Sequence, residues 1–313
     1  MNKRERLEAY LTGEDMGGFV PAAFFLHFGE GFLLEPGAAA RHEEFFEATD
    51  MDFAKIQFEL EFPSFHINGA SDFDQVPRLP LEFYDAQFQV VETLLRALKA
   101  QAHVVLTLYS PYMLLCRMAG AQAVAKYLEA EPEPVVKAEE RIADSLLAFV
   151  RRCARAGLDG FYHSTQGGES RRFENKETFL RWVKPIDLRV MAEIDGLCPF
   201  NILHICDYHR EFGQYDDLSP FLEYPGRVVN VSTDVGGRTL SPDDLSQLFG
   251  RPYMGGLDRL GPLSSGSAET ARQAALDVVR DAPPRFILGA DCTVPPSTSW
   301  ENLRAAVDAA HGA

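Results

Sequence analysis

The sequence predicts an α/β fold, a single (β/α)8 barrel spanning residues 1–313. Three observations predict it. Short apolar segments alternate with amphipathic helical patterns along the chain, as in a parallel sheet covered by helices. The alternation yields eight candidate strands. No Pro/Gly/Ser-rich linker, low-complexity run or short-period repeat divides the chain, and 313 residues with 46% hydrophobic and 24% charged suit one large core. An open doubly wound sheet is the competing topology.

The elements follow in order. "FVPAAFFLHF" (19–28) and "DFAKIQFEL" (52–60) are the first two strands. "LEFYDAQFQVVETLLRALKAQ" (81–101) spaces its apolar residues by three and four, which makes a helix leading into the strand "HVVLTLYS" (103–110). "VVKAEERIADSLLAFVRRCARAG" (135–157) repeats the helical spacing before "DGFYHST" (159–165). "FNILHIC" (200–206) and "RVVNVS" (227–232) are the fifth and sixth strands. "SPDDLSQLFG" and "SAETARQAALDVVRDA" each open with Ser ahead of acidic residues, as helix N-termini do. They flank "PYMGGLD" (252–258) and "RFILGADC" (285–292), and "STSWENLRAAVDAAHG" closes the chain as a helix.

Charge narrows the partners. The 30 Lys and Arg stand against 46 Asp and Glu, a net charge of −16. Nucleic acid and anionic membrane surfaces need clustered positive charge, so neither is expected, and a polyanionic substrate is disfavoured. Five scattered cysteines make no secreted-type disulfide framework. The opening "MNKRERLEAYLTGED" has no apolar signal region, and no run approaches the ~18 apolar residues of a membrane span. The expected compartment is a reducing cytoplasm.

In a barrel, chemistry sits at the C-terminal strand ends. That selects His27, Gln57, Glu59, Tyr109, Ser110, His163, His204, Cys206, Asp234, Asp258, Asp291 and Cys292. His204 and Cys206 are two apart, hence on one face of an extended strand. Cys292, at the eighth strand end, is the natural third ligand of a zinc-type site, which takes thiolate and imidazole donors. Each residue alone also reads as core, because free Cys is among the most buried residue types. Cys116 and Cys153 fall in helical patterns and read as packing, and Cys198 lies in a turn with no evident partner. His27, His163 and Tyr109 are candidates for substrate contact or acid–base work. Asp207 and Asp291 flank the proposed ligands, and each either orients an imidazole or caps a helix. His209 reads as a surface loop residue. The loop "STQGGES" (164–170) lacks the P-loop Lys and reads as an ordinary connection. "VSTDVGGRT" (231–239) carries Arg238, a cation suited to an acidic ligand group, and Asp258 is grouped with it as a cofactor contact. No dinucleotide fingerprint follows the first strand, so neither NAD nor ATP is expected.

Several segments resemble the uroporphyrinogen decarboxylase superfamily: "KRERLEAYLTGEDMGGFVPAAFFLHF", "DMDFAKIQ", "GGLDRLGPL" and, most specifically, "RFILGADCTVPPSTSWENLRAAVDAA". The resemblance implies a (β/α)8 barrel. The decarboxylases of the superfamily follow their first strand with an Arg-Gln-Ala-Gly-Arg type run that meets substrate carboxylates. The matching "FFLHFGEGFLLEPG" has no arginine and carries Glu30, so that activity is not the expectation. The other branch, zinc-dependent methyltransferases, has His-x-Cys after the fifth strand and Cys after the eighth. His204, Cys206 and Cys292 match those positions. The resemblance therefore implies zinc as cofactor, and methyl transfer from a methylated corrinoid to a thiol or similar acceptor. The corrinoid would come on a partner protein or as free methylcobalamin. A metal-free lyase, a non-catalytic corrinoid- or thiol-binding barrel, and a purely structural metal are the rival readings.

Overall fold

The computed structural model describes residues 1–208 and 210–312. His209 lies outside the described residues. The strands are β1 Phe53–Ile56, β2 His103–Tyr109, β3 Gly160–Thr165, β4 Ile202–Ile205, β5 Val228–Val231, β6 Asp234–Val235, β7 Arg238–Thr239, β8 Tyr253–Leu257 and β9 Ile287–Ala290. Seven of them form one parallel sheet in the order β1-β2-β3-β4-β5-β8-β9, and β6 and β7 make a separate antiparallel hairpin. Every strand of the main sheet is buried almost throughout, as a parallel sheet covered by helices requires.

The first predicted strand is corrected in part. Segment 19–28 is extended and lies between β9 and β1, but it joins the sheet only by isolated bridges, Ala22 to Leu288 and Leu26 to Val294. Toward β9 it keeps backbone bonds: Leu288 N–H donates to Pro21 O at 2.8 Å and Val294 N–H to Phe25 O at 2.8 Å. Toward β1, side chains replace most of the ladder. Asp52 accepts from Ala22 N–H at 2.8 Å, and Gln57 Nε2 donates to Leu26 O at 2.6 Å. Pro21 brings no N–H to this edge. The sheet therefore curls toward a barrel without eight complete ladders.

The predicted helices form where the apolar spacing placed them. Helix Asp85–Leu98 buries Phe88, Val91 and Leu95, and helix Pro132–Ala156 buries Ile142, Leu146, Phe149 and Val150. The Ser-led starts are capping boxes. Ser241 Oγ accepts from Asp244 N–H while Asp244 accepts from Ser241 N–H, and Ser267 pairs with Thr270 in the same way. One glycine is obligatory for the sheet: a Cβ at Gly160 would lie 1.7 Å from Phe200 O. Among the described residues no helix is long and apolar enough to cross a membrane.

Strand register positions the site. Ser164 of β3, His204 of β4 and Asn230 of β5 lie side by side. Asn230 Nδ2 donates to Met254 O at 2.9 Å and Ala290 O at 3.0 Å, and its Oδ1 accepts from Tyr162 O–H. One buried amide thus ties four strands together just below the strand ends.

Candidate metal centre and its cavity

His204 is the third residue of β4, and Cys206 follows on the same face. Cys292 stands two residues beyond β9. Cys206 Sγ lies 3.9 Å from Cys292 Sγ, and Cys292 Sγ lies 3.3 Å from His204 Nε2. All three donor atoms fall within 4.8 Å of one another, and all three residues are buried. Around a tetrahedral zinc with the usual bond lengths, S···S edges are about 3.8 Å and N···S edges about 3.5 Å. The donor set therefore fits zinc in both chemistry and spacing. Among the described residues no fourth His, Cys, Asp or Glu joins the group.

The surroundings hold these side chains in place. The Tyr162 ring stacks on His204 at 4.8 Å between centroids. Cys206 N–H donates to Thr165 O at 3.0 Å, and Tyr215 O–H donates to Cys206 O at 3.1 Å. The thiols behave as a pair. A hydrogen bond from Cys292 and the His204 imidazole hold the Cys206 thiol well below its usual range, against burial. The same hydrogen bond and burial hold Cys292 above it.

A cavity of about 370 Å³ opens over the three donors. Sequence reasoning missed its most unusual member, Lys55. The side chain is buried, and its ammonium donates to Gln57 Oε1 at 2.9 Å and Thr107 Oγ1 at 2.8 Å. It lies over the faces of Phe25 and Tyr162 at 4.7 and 4.8 Å. Burial pushes its pKa down to about 7, against the pull of Cys292, Glu59 and Cys206. The available signal was period two: Lys55, Gln57 and Glu59 share one face of an otherwise apolar strand.

His27 and Tyr109 also line the cavity. His27 Nδ1 bonds Glu59 Oε1 at 2.7 Å. Burial pushes Tyr109 up to about 12, and the Arg117 guanidinium lies 4.0 Å over its ring. Arg172 lines the wall, paired with the buried Glu169. Cys116, read as packing, lines the cavity from helix Pro111–Ala119.

Several expected site residues are not brought to this place. His163 alternates with the cavity-lining Tyr162 and Ser164 and so faces the helical layer, fully buried, with neither ring nitrogen hydrogen-bonded. Burial lowers its pKa to about 3. Arg238 is exposed in the β6–β7 hairpin. Asp258 is exposed and accepts from Leu260 N–H at 2.8 Å, closing a local turn. Asp291 accepts from Arg259 N–H at 2.7 Å rather than from an imidazole. In the "STQGGES" loop, Gly167 N–H is taken by Glu169 at 2.8 Å.

Comparison with known proteins adds to this geometry. The family profile of uroporphyrinogen decarboxylase (URO-D) matches residues 54–313. No curated protein matches the chain. Among solved structures, a methyltransferase from Methanosarcina mazei superposes with a TM-score of 0.77 at 13% identity, covering 99% of this chain and 98% of that one. A B12-independent methionine synthase from Shewanella sp. W3-18-1, in complex with selenomethionine, gives 0.58 at 11% identity over 93% and 97%. A Bacillus subtilis mannanase gives 0.52 at 11% over 98% and 90%. At such identities these likenesses concern the fold, which carries many chemistries.

Proposed function

That the chain belongs to the uroporphyrinogen decarboxylase family is the premise from which we propose its function: a zinc-dependent methyltransferase. It would move a methyl group from a methylated corrinoid, on a partner protein or free as methylcobalamin, to a small thiol or similar acceptor. One observation carries the reading. Three buried soft donors, and no fourth among the described residues, converge on the floor of a cavity. Three protein ligands with a remaining position are the pattern of catalytic rather than structural zinc. The Methanosarcina neighbour, itself a methyltransferase, supports the same reading.

His204, Cys206 and Cys292 would hold the metal. When bound, zinc supplies a Lewis acid that keeps an acceptor thiol deprotonated near neutral pH. The chain's own residues do the rest. His27, its Nδ1 bonded to Glu59, is left with Nε2 to take the acceptor's proton. The Lys55 ammonium beneath the cavity offsets the negative charge of the thiolates. Tyr162 fixes the plane of the His204 imidazole. The cavity lies near the lower end of the ~300–1,000 Å³ of small-molecule sites, which suits a small acceptor. The corrinoid ring then stays outside, over the mouth. The same size argues against the reaction of the family's name, since a tetrapyrrole with its carboxylates exceeds the space.

Metal analysis by mass spectrometry tests this first, on protein purified without chelator. About one zinc per chain is expected in wild type, and its loss in Cys206→Ala and Cys292→Ala. Methyl transfer from methylcobalamin to a thiol panel, followed by corrinoid absorbance, is the second arm. Zinc-free wild type, or full transfer by both variants, overturns the proposal. Zinc without transfer to any acceptor would leave a metal-binding barrel.

A further inference from the structure

We propose that Arg117 is the anion anchor of this cavity, so that the acceptor carries a carboxylate, sulfonate or phosphate group. The inference rests on the reading of the cavity as an acceptor site. It also replaces Arg238, the cation the sequence suggested, which does not reach the cavity.

The helix that follows β2 delivers this side chain. Ser110 Oγ accepts from Met113 N–H at 3.2 Å and starts the helix at the strand end. Met113, Cys116 and Arg117 then line the cavity together, spaced three and four apart on one helical face. The guanidinium rests 4.0 Å over the Tyr109 ring. Stacking of that kind fixes the plane of the group, and the N–H groups not turned to the Tyr109 hydroxyl are left to meet two oxygens of an anion.

Charge bookkeeping singles it out. In a chain with 46 acidic against 30 basic residues, no carboxylate pairs with Arg117 among the described residues. Arg172, on the same wall, is committed to Glu169. Lys55 is held by Gln57 and Thr107 at the floor. Among the described lining residues Glu211 is the only carboxylate, and it is exposed and makes no ion pair with Arg117. The wall above a thiol-rich floor therefore presents an uncompensated, oriented cation in a space one short ligand can span.

Calorimetry with matched probes tests this on the metal-loaded protein. The charged probes are 3-mercaptopropionate and 3-mercaptopropane-1-sulfonate, the neutral one is 3-mercapto-1-propanol, and propionate is the thiol-free control. Either charged thiol should bind wild type about tenfold or more tighter than the neutral one. Arg117→Met should erase that difference while leaving the neutral thiol's affinity unchanged, and Arg117→Lys should restore part of it. Equal affinities in wild type, or discrimination that survives Arg117→Met, overturn the inference. The outcomes separate the two proposals. If both thiols need Cys206 but charge makes no difference, the anchor falls and the metal reading stands. If Cys206→Ala weakens neither thiol while propionate binding still requires Arg117, the metal reading falls and the anchor stands.

Discussion

Cys292 Sγ lies 3.3 Å from His204 Nε2, although 88 residues separate them in the chain. The contact exists because β4 and β9 end at the same mouth of a curled sheet. A metal there would cross-link two strands that β5 and β8 separate in the sheet. Bound metal should therefore stabilise the fold by mass action, by about 4 kcal/mol at a thousandfold excess over Kd. Chelator should lower the melting temperature of wild type and leave that of Cys292→Ala unchanged. Identical shifts in both proteins would separate the stabilisation from this site.

His163 shows how a strand end misleads. Its imidazole is buried with both ring nitrogens unpartnered, and burial holds its pKa at about 3. We expect His163→Leu to keep methyl transfer and to stay within about 1 kcal/mol of wild-type stability, since an unpaired polar group is exchanged for an apolar one of similar volume. The pH dependence has a definite sign. A depressed folded pKa contributes stability that is present above the unfolded value near 6.5 and lost as pH falls toward 3. His163→Leu should therefore flatten the acid side of a plot of melting temperature against pH. His42, lowered to about 4 by burial, would still provide part of that slope.

The contrast between His163 and His204 marks what the sequence could carry. Both stand at predicted strand ends. His204 and Cys206 share a face whichever face it is, so spacing alone paired them. Which face looked inward depended on register: Ser164 aligns with His204, and His163 with Leu203. Arg238 and Asp258 failed for a related reason, because a loop beyond a strand end is free to turn away from the mouth. Lys55 was missed because a lysine one residue pair below the strand end reads as part of the sheet. The first strand was legible as an extended apolar segment. That Asp52 and Gln57 side chains would stand in for its ladder was not, because side-chain substitution for backbone bonds leaves no periodic trace.

Asp187 and Glu139 give the opposite pH sign. They are buried on the neighbouring helices Lys184–Leu197 and Pro132–Ala156. Burial pushes Asp187 up to about 7, and burial with the nearby Asp187 charge holds Glu139 well above the carboxylate range. A raised folded pKa gives stability that is complete below the unfolded value near 4 and lost as pH rises through about 7. Asp187→Asn keeps an oxygen for Thr165 Oγ1 and Tyr224 O–H to donate to, without the charge. Its stability relative to wild type should grow between pH 4 and 7, by at most about 1.4 kcal/mol per pH unit, and then level off. Melting curves at pH 5 and pH 8 check this, and a difference that shrinks with rising pH would contradict it.

The Glu169–Arg172 pair bears on both stability and the cavity wall. Both side chains are buried, Arg172 Nε donates to Glu169 Oε2 at 3.0 Å, and the guanidinium lies 3.7 Å over the Phe212 ring. Removing one partner leaves a buried charge alone, which costs about 3–5 kcal/mol, whereas removing both charges can be nearly neutral. Arg172→Met should therefore destabilise far more than the double variant Glu169→Gln, Arg172→Met, a coupling that denaturant titration of the four proteins would measure. The functional consequence follows from the loop. Glu169 also accepts from Gly167 N–H and so shapes the turn that carries Gln166 to the cavity. With Arg172 gone, the Glu169 carboxylate is left uncompensated within electrostatic reach of Cys116, the neighbour of Arg117 on the cavity wall. The charged thiol should then lose affinity in Arg172→Met and regain it in the double variant, while the neutral thiol stays level. Equal losses for both thiols would trace the effect to a collapsed wall instead of to charge.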